Sequence, residues 1–267
     1  MNAKRRADAS GRIAVAIAGA GAETRALETL SALTGNGQAQ VSWIVIEDAD
    51  LLRAARLPFA IEVCRATNIA RRIDADDLQR RIRERAATLM HRVRQAPMPV
   101  GVEWTFDIVR QRTATAVLEL AQSQDVTLLF TATTYRFPRV ARGAATRTIT
   151  DGSGNAVVVV LDQSAASRRA LTVAHRIGRA HELPVIGLIV AASEAGAGRI
   201  RARLSESAQW RDTAITTLLR PSFEDIAAQA RRHHSATLVL PVSQLANSPA
   251  RIAELESGID CPTAIVR

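Results

Sequence analysis

At 267 residues the chain is long enough for one large domain or two small ones with their own cores, and 47% of it is hydrophobic, an ordinary share for a folded protein. No run approaches the ~20 consecutive apolar residues of a membrane-spanning helix, so a soluble, cytoplasmic protein is expected. The net charge of +9 comes almost wholly from arginine, Lys4 being the only lysine; acids are interspersed and aromatics are only 3%, too few for a base-stacking platform, which argues against a nucleic-acid partner.

The first 22 residues offer Lys4-Arg5-Arg6, the apolar run Ile13 to Ala18 and small residues after it, superficially a secretory leader. Asp8, Ser10 and Arg12 interrupt that pattern, and it returns in mid-chain, so the run reads as a buried strand. Hydrophobic periodicity then predicts a strand at 12–18, a helix at 22–34 and a strand at 40–46. A segment with Leu51-Leu52 and Leu57-Pro58-Phe59 follows, then a long helix at 75–95, a strand at 101–110, a helix at 112–123 and a strand at 126–131. Arg80, Arg81, Arg83, Arg85 and Arg92, with Asp76, Asp77 and Glu84, give the long helix a charged face that reads as solvated. Asp151-Gly152-Ser153-Gly154-Asn155 reads as a turn or linker. Beyond it come a strand at 156–161, a helix at 165–181, a strand at 184–190, a helix near 197–209 and a strand at 213–219. A helix at 222–234, a strand at 236–241, a helix at 248–257 and a last strand at 262–266 complete the chain. Apolar runs such as Val157 to Leu161 between helices indicate a parallel sheet covered on both faces.

Laid on itself, the chain repeats. Ala26-Leu27 falls on Ala170-Leu171, a shift of 144 residues (26 to 170), and brings Val15 onto Val159 and Ile17 onto Leu161 without a gap. Arg110 falls on Arg220, a shift of 110, and brings Thr127-Leu128-Leu129-Phe130 onto Thr237-Leu238-Val239-Leu240. Two tandem copies are expected, at 1–150 and 151–267, the first enlarged by an insertion at about 47–75. The first copy lacks a clear final strand before the linker.

The second copy opens with Val159-Val160-Leu161-Asp162-Gln163-Ser164, then Ala166-Ser167 and Arg169-Ala170-Leu171, and the chain ends Cys261-Pro262-Thr263-Ala264-Ile265-Val266-Arg267. An apolar strand ending in aspartate, a small turn with serine, an Ala-Leu helix and a proline-led last strand resemble a universal stress protein. The resemblance covers all of copy two, and copy one more loosely through Phe130. It implies α/β architecture: two tandem parallel-sheet domains of the adenine-nucleotide α-hydrolase type, joined like the dimer that single-copy members form through their last strands. It also implies a stress-response or regulatory role, with ATP or another adenine nucleotide bound in some members and not in others.

If a nucleotide is bound, the resemblance places it at Asp162, Ser164, Ser243 and Ser248. Phosphate binding calls for glycine turns that bring backbone N–H groups close. Pro241 to Pro249 contains no glycine, nor does Thr131 to Pro138, and Ala18 stands in copy one where Asp162 stands in copy two. Ser248-Pro249 also reads as a helix N-cap with proline at the first position. The expectation is therefore a non-catalytic protein that binds a protein partner or itself, without cofactor, with ATP or AMP at the copy-two crevice as the alternative. Arg136, Arg139, Arg142 and Arg147 read as a solvated basic loop.

A third reading is a Rossmann-like enzyme, from Gly19-Ala20-Gly21 with Glu47-Asp48 ending the next strand; Thr24 occupies the third glycine position and copy two lacks the pattern. Catalytic and metal constellations are missing from the sequence. Cys64 and Cys261 match no zinc or redox spacing, His91, His175, His181, His233 and His234 show no ligand spacing, and Ser153 follows no strand. The insertion, with its large apolar side chains, reads either as a cap on its own half or as a contact surface.

Overall fold

The computed structural model describes residues 11–18, 23–35, 38–63, 70–96, 101–131, 156–259 and 261–267. Copy one contains β1 (Arg12–Ile17), α1 (Glu23–Thr34), β2 (Ala39–Asp48), α2 (Ala49–Ala55), β3 (Ile61–Val63), β4 (Ala70–Arg72), α3 (Ala75–Gln95), β5 (Val102–Gln111), α4 (Thr113–Ser123) and β6 (Val126–Phe130). Copy two contains β7 (Ala156–Leu161), α5 (Ala166–Ala180), β8 (Val185–Ala191), α6 (Glu194–Leu204), β9 (Thr213–Leu219), α7 (Phe223–Arg232), β10 (Ser235–Pro241), α8 (Pro249–Gly258) and β11 (Thr263–Val266). Gly19-Ala20-Gly21, Cys64, the linker at 151–155 and the arginines at 136, 139, 142 and 147 lie outside the described residues, as does the boundary at 150.

Nine strands form one sheet in the order β5-β2-β1-β6-β11-β10-β7-β8-β9. Numbered within its own copy, each half runs 3-2-1-4 with parallel neighbours, and β11 is the fifth strand of copy two. β11 pairs antiparallel with β6, Val266 opposite Val126 and Thr263 opposite Leu129. The two parallel half-sheets thus join edge to edge, with β11 of copy two serving as the neighbour of β6.

Alternation along the strands assigns side chains to two apolar layers. Val157, Val159 and Leu161 pack with α1, α3, α5 and α6 on one face, and Val158 and Val160 with α4, α7 and α8 on the other. β7 is buried throughout, which explains its uninterrupted run of valines. Asp125 ties the seam: its carboxylate accepts from the Arg12 N–H at 2.8 Å, and its carbonyl accepts from the Arg267 N–H at 3.0 Å.

Most element boundaries agree with the sequence reading, and the exceptions have local causes. The helix expected near 197–209 occupies Glu194–Leu204, because the Ser193 hydroxyl accepts from the Gly196 N–H and starts it earlier; Ala208–Asp212 is a separate 3-10 turn. The insertion holds α2 and a two-stranded hairpin, β3 and β4. Leu52 is buried, whereas Leu51, Leu57 and Phe59 are exposed. The charged face of α3 is not simply solvated. Arg83 and Arg110 clamp the buried Glu47 carboxylate at 3.1 Å each, and Arg81 reaches Glu62 of the hairpin at 3.2 Å.

A continuous sheet predicts that the two halves unfold as one cooperative unit. Urea unfolding followed by tryptophan fluorescence, dominated in copy one by the fully buried Trp43, is expected to coincide with unfolding followed by far-UV circular dichroism. Ile265→Ala, which removes a buried side chain from the junction strand, should lower the stability of both signals together by about 3 kcal/mol. Separate transitions would show that the halves fold independently.

Candidate functional site

The neighbouring strands β7 and β10 send their following segments to opposite faces, β7 into α5 and β10 towards α8. Their carboxyl ends therefore flank a topological switch point, where α/β sheets open a crevice for ligands. Asp162 ends β7 there and is buried, with a relative exposure of 9%. One carboxylate oxygen accepts from the Ser164 N–H and the Ser167 hydroxyl, both at 2.8 Å. The other accepts from the Ser243 hydroxyl at 2.5 Å and the Gln244 amide at 2.7 Å. Burial works against the charge, and these hydrogen bonds outweigh it, holding the Asp162 carboxyl below the usual aspartate value. Four donors fill the lone-pair positions that a carboxylate offers.

Arg203 of α6 covers the same turn from outside, donating to the carbonyls of Asp162 at 2.9 Å, Gln163 at 2.7 Å and Ser164 at 2.8 Å. Of the four residues expected at the site, Asp162, Ser164 and Ser243 are brought together. Ser248 is the N-cap of α8 with Pro249 in the first turn, but its side chain makes no capping hydrogen bond and does not join the Asp162 group. Sequence reasoning passed over Ser167, Gln244 and Arg203 as site members. A hydroxyl five residues after a strand-end aspartate was a usable signal for Ser167; nothing along the chain marks Arg203, 41 residues away from Asp162.

The turn after β10 lacks glycine yet adopts glycine-like backbone. Ala246 and Asn247 have φ of 46° and 53°, the left-handed region in which a Cβ is strained. The turn is therefore tight without glycine, at the expense of strain at Ala246.

In copy one, Ala18 supplies no carboxylate, and its N–H donates to the Phe130 carbonyl at 2.9 Å, closing the strand ends together. The acids of the Rossmann-like pattern are both engaged. Glu47 lies in the arginine clamp. Asp48 caps α2 through the N–H groups of Asp50 and Leu51 and also accepts from the Thr113 hydroxyl at 2.5 Å. Burial, and then the Asp48 charge, push the carboxyl of Glu256 in α8 up to about 7. His175 is buried, with Nε2 2.8 Å from the Thr213 hydroxyl, which donates to the Gln209 carbonyl at 2.7 Å; burial and then Arg179 hold it below the usual histidine value. Among the described residues, no three histidine, cysteine or acidic side chains are grouped to hold a metal, and no helix is long and apolar enough to cross a membrane.

No protein-family model matches the chain, and no curated protein matches it. Solved structures do. A universal stress protein from Archaeoglobus fulgidus DSM 4304 aligns over 97% of this chain and 97% of its own, with 10% identity and a TM-score of 0.47. A protein of unknown function from Pseudomonas aeruginosa PAO1 aligns over 98% and 94%, with 12% identity and a TM-score of 0.45. The cytoplasmic domain of a prokaryotic cation chloride cotransporter aligns over 96% and 95%, with 10% identity and a TM-score of 0.43. At such identity no residue's role passes from these proteins to this one.

Two variants test the local physics. An acid held above its unfolded value costs stability as pH rises from about 4.5 to about 7. Glu256→Gln should therefore raise the unfolding free energy near pH 8 by about 1–2 kcal/mol after solvent screening, and change little near pH 4. Ala246→Gly should raise it by about 0.5–1 kcal/mol at either pH by relieving the left-handed alanine; a loss would show that the alanine methyl packs usefully.

Proposed function

We propose that this chain is a non-catalytic regulatory protein, of the kind that universal stress proteins exemplify, that acts by binding a protein partner without ATP. The observation that carries the reading is the internal saturation of Asp162. Ser164, Ser167, Ser243 and Gln244 occupy every acceptor position that a nucleotide's hydroxyl or amino groups would need. Displacing them would take hydrogen bonds from a buried carboxylate and from the buried Ser167 hydroxyl, a cost of about 1–3 kcal/mol for each buried group left unpaired. The alanine in the left-handed turn after β10 adds a second obstacle on the phosphate side. What remains available is surface, above all the exposed apolar side chains of the insertion, and a partner protein or a second copy is the matching class of ligand.

One observation favours a second reading, an adenine-nucleotide sensor at the same crevice: the buried Ser164 hydroxyl, beside the Asp162 carboxylate, meets no hydrogen-bond geometry among the described residues. The engaged acids Glu47 and Asp48 speak against the Rossmann-like enzyme, since a ribose hydroxyl needs a free acceptor. Mass spectrometry of the extract from denatured, freshly purified protein separates these readings. The expected result is no stoichiometric adenine, nicotinamide or flavin nucleotide, and no thermal shift with added ATP or AMP. Stoichiometric ATP or AMP, together with a shift lost in Asp162→Ala, would replace the leading proposal by the second.

A further inference from the structure

Arginines and acids are mixed along the chain, and the fold sorts them by face. Helices α5 and α6, on the face that carries Val157, Val159 and Leu161, hold seven arginines against one acid, Glu194. Helices α4, α7 and α8 on the opposite face hold three arginines against five acids. The four arginines of α5, Arg168, Arg169, Arg176 and Arg179, are exposed on the side away from the buried Ala170, Leu171, Ala174 and Ile177. No acid interrupts that stripe, which runs along about 16 Å of helix. α6 adds the exposed Arg199 and Arg201 and the half-buried Arg203, and Arg168 donates to the Arg203 carbonyl at 3.4 Å where the two helices adjoin.

The groups these arginines touch leave their charge in place. Arg176 donates to the Leu33 carbonyl at 3.4 Å, Arg201 to the Thr217 hydroxyl, and Arg203 to the three carbonyls of the Asp162 turn. Such neutral acceptors orient a guanidinium without cancelling it. The one ion pair that α5 and α6 form among the described residues is Arg168 with Glu206, at 3.7 Å between two exposed side chains. α3 differs, since Asp77, Glu62 and Glu47 hold Arg80, Arg81 and Arg83. Exposed acids do flank the face: Glu182 follows α5, Glu206 and Asp212 follow α6, and Glu28 lies on α1, which packs on α5. Residues 166 to 212 still carry eight arginines against four acids, so the excess survives them.

The flanking acids also decide which anion fits. A nucleic-acid backbone is anionic throughout and would meet Glu194 and Glu206 along with the arginines; neither helix offers a Phe, Tyr or Trp on which a base could stack. A lipid surface takes up apolar side chains, and none of the exposed large apolar residues belongs to α5 or α6. A second copy would have to offer its α4, α7 and α8 face, where Glu119, Asp225 and Glu254 are already engaged by Gln111, Ser222 and Arg251. Another folded protein can set carboxylates against the arginines and basic groups against the flanking acids.

We propose that the α5–α6 face is the docking surface for an acidic patch of the partner protein. Its contact groups are Arg169 and Arg199, whose side chains make no hydrogen bond or ion pair among the described residues. This rests on the protein-partner reading above and gives that partner its chemistry: carboxylates, which a guanidinium grips through two parallel N–H donors.

The test titrates full-length protein against a fluorescein-labelled peptide with six glutamates at its centre and two lysines at each end, read by anisotropy at about 50 mM salt. Saturable binding is expected, weakened about fivefold by Arg169→Glu and by Arg199→Glu. Arg232→Glu makes the same charge change on an exposed side chain of α7, on the opposite face, and should bind as the wild type does. An unchanged melting temperature checks that each variant is folded. Failure of the peptide to bind, or an equal loss in Arg232→Glu, overturns the proposal, the latter by showing that net charge alone is read. Tighter binding of a short DNA duplex that Arg169→Glu weakens would assign the face to nucleic acid instead. Co-sedimentation with phosphatidylglycerol vesicles that Arg169→Glu abolishes while the peptide fails to bind would assign it to a lipid surface. A concentration-dependent dimer in analytical ultracentrifugation that Arg169→Glu dissolves would assign it to self-association. Nucleotide in the denatured extract bears on the regulatory reading alone and leaves the peptide result standing.

Discussion

The antiparallel contact between β6 and β11 is the constraint on which the rest of the molecule depends. Two parallel half-sheets of this kind each leave an inner edge of unpaired backbone groups, and buried unpaired groups are costly. Pairing Val126 to Leu129 against Val266 to Thr263 removes both edges at once and reverses the direction of the sheet at its middle. The strands of the two halves consequently run in opposite directions. The chain's last strand also becomes structural for copy one as well as copy two, and the Asp125 contact with Arg12 and Arg267 fastens both ends of the arrangement at one residue.

With the junction set, the two halves diverge in what their strand ends do. In copy two the turn after β7 closes on itself through Asp162, a carboxylate used as an organiser of backbone and hydroxyl groups, with Arg203 fastening the outer side of the same turn. In copy one the acids lie one strand over, at the end of β2, and are spent on holding helices. Glu47 binds Arg83 to Arg110, and Asp48 caps α2 and reaches the start of α4. Carboxylates that would otherwise suggest chemistry are engaged in positioning secondary structure. The insertion differs: Glu62 ties its hairpin to α3 through Arg81, while Ile61 and Val63 stay exposed.

Much of this was legible in the chain. Period-two and period-3.6 patterns place nearly every strand and helix, because burial on two faces of a parallel sheet demands them. The hidden parts are those where a side chain's partner lies far along the sequence. Arg81 and Arg83 look like solvated helix charges until Glu62 and Glu47 are placed beneath them. The hairpin at Ile61 and Arg72 is too short for periodicity to register. Ser248 has the local look of a capping site residue, yet it is Ser243, five positions earlier, that reaches Asp162, together with Gln244.

The sequence by itself determined the α/β layering and the absence of glycine from the turn after β10, since each is a local property of residue type and spacing. It marked Asp162 as the residue to watch for the same reason. Only the tertiary structure decided that the two copies share one sheet, because strand order is set by which edges find partners across more than a hundred residues. Only it decided that the Asp162 carboxylate is filled, because two of its four donors arrive from the neighbouring strand end. And only it separated the buried Leu52 from the exposed Phe59 within one apolar stretch, because exposure depends on what the rest of the fold leaves uncovered.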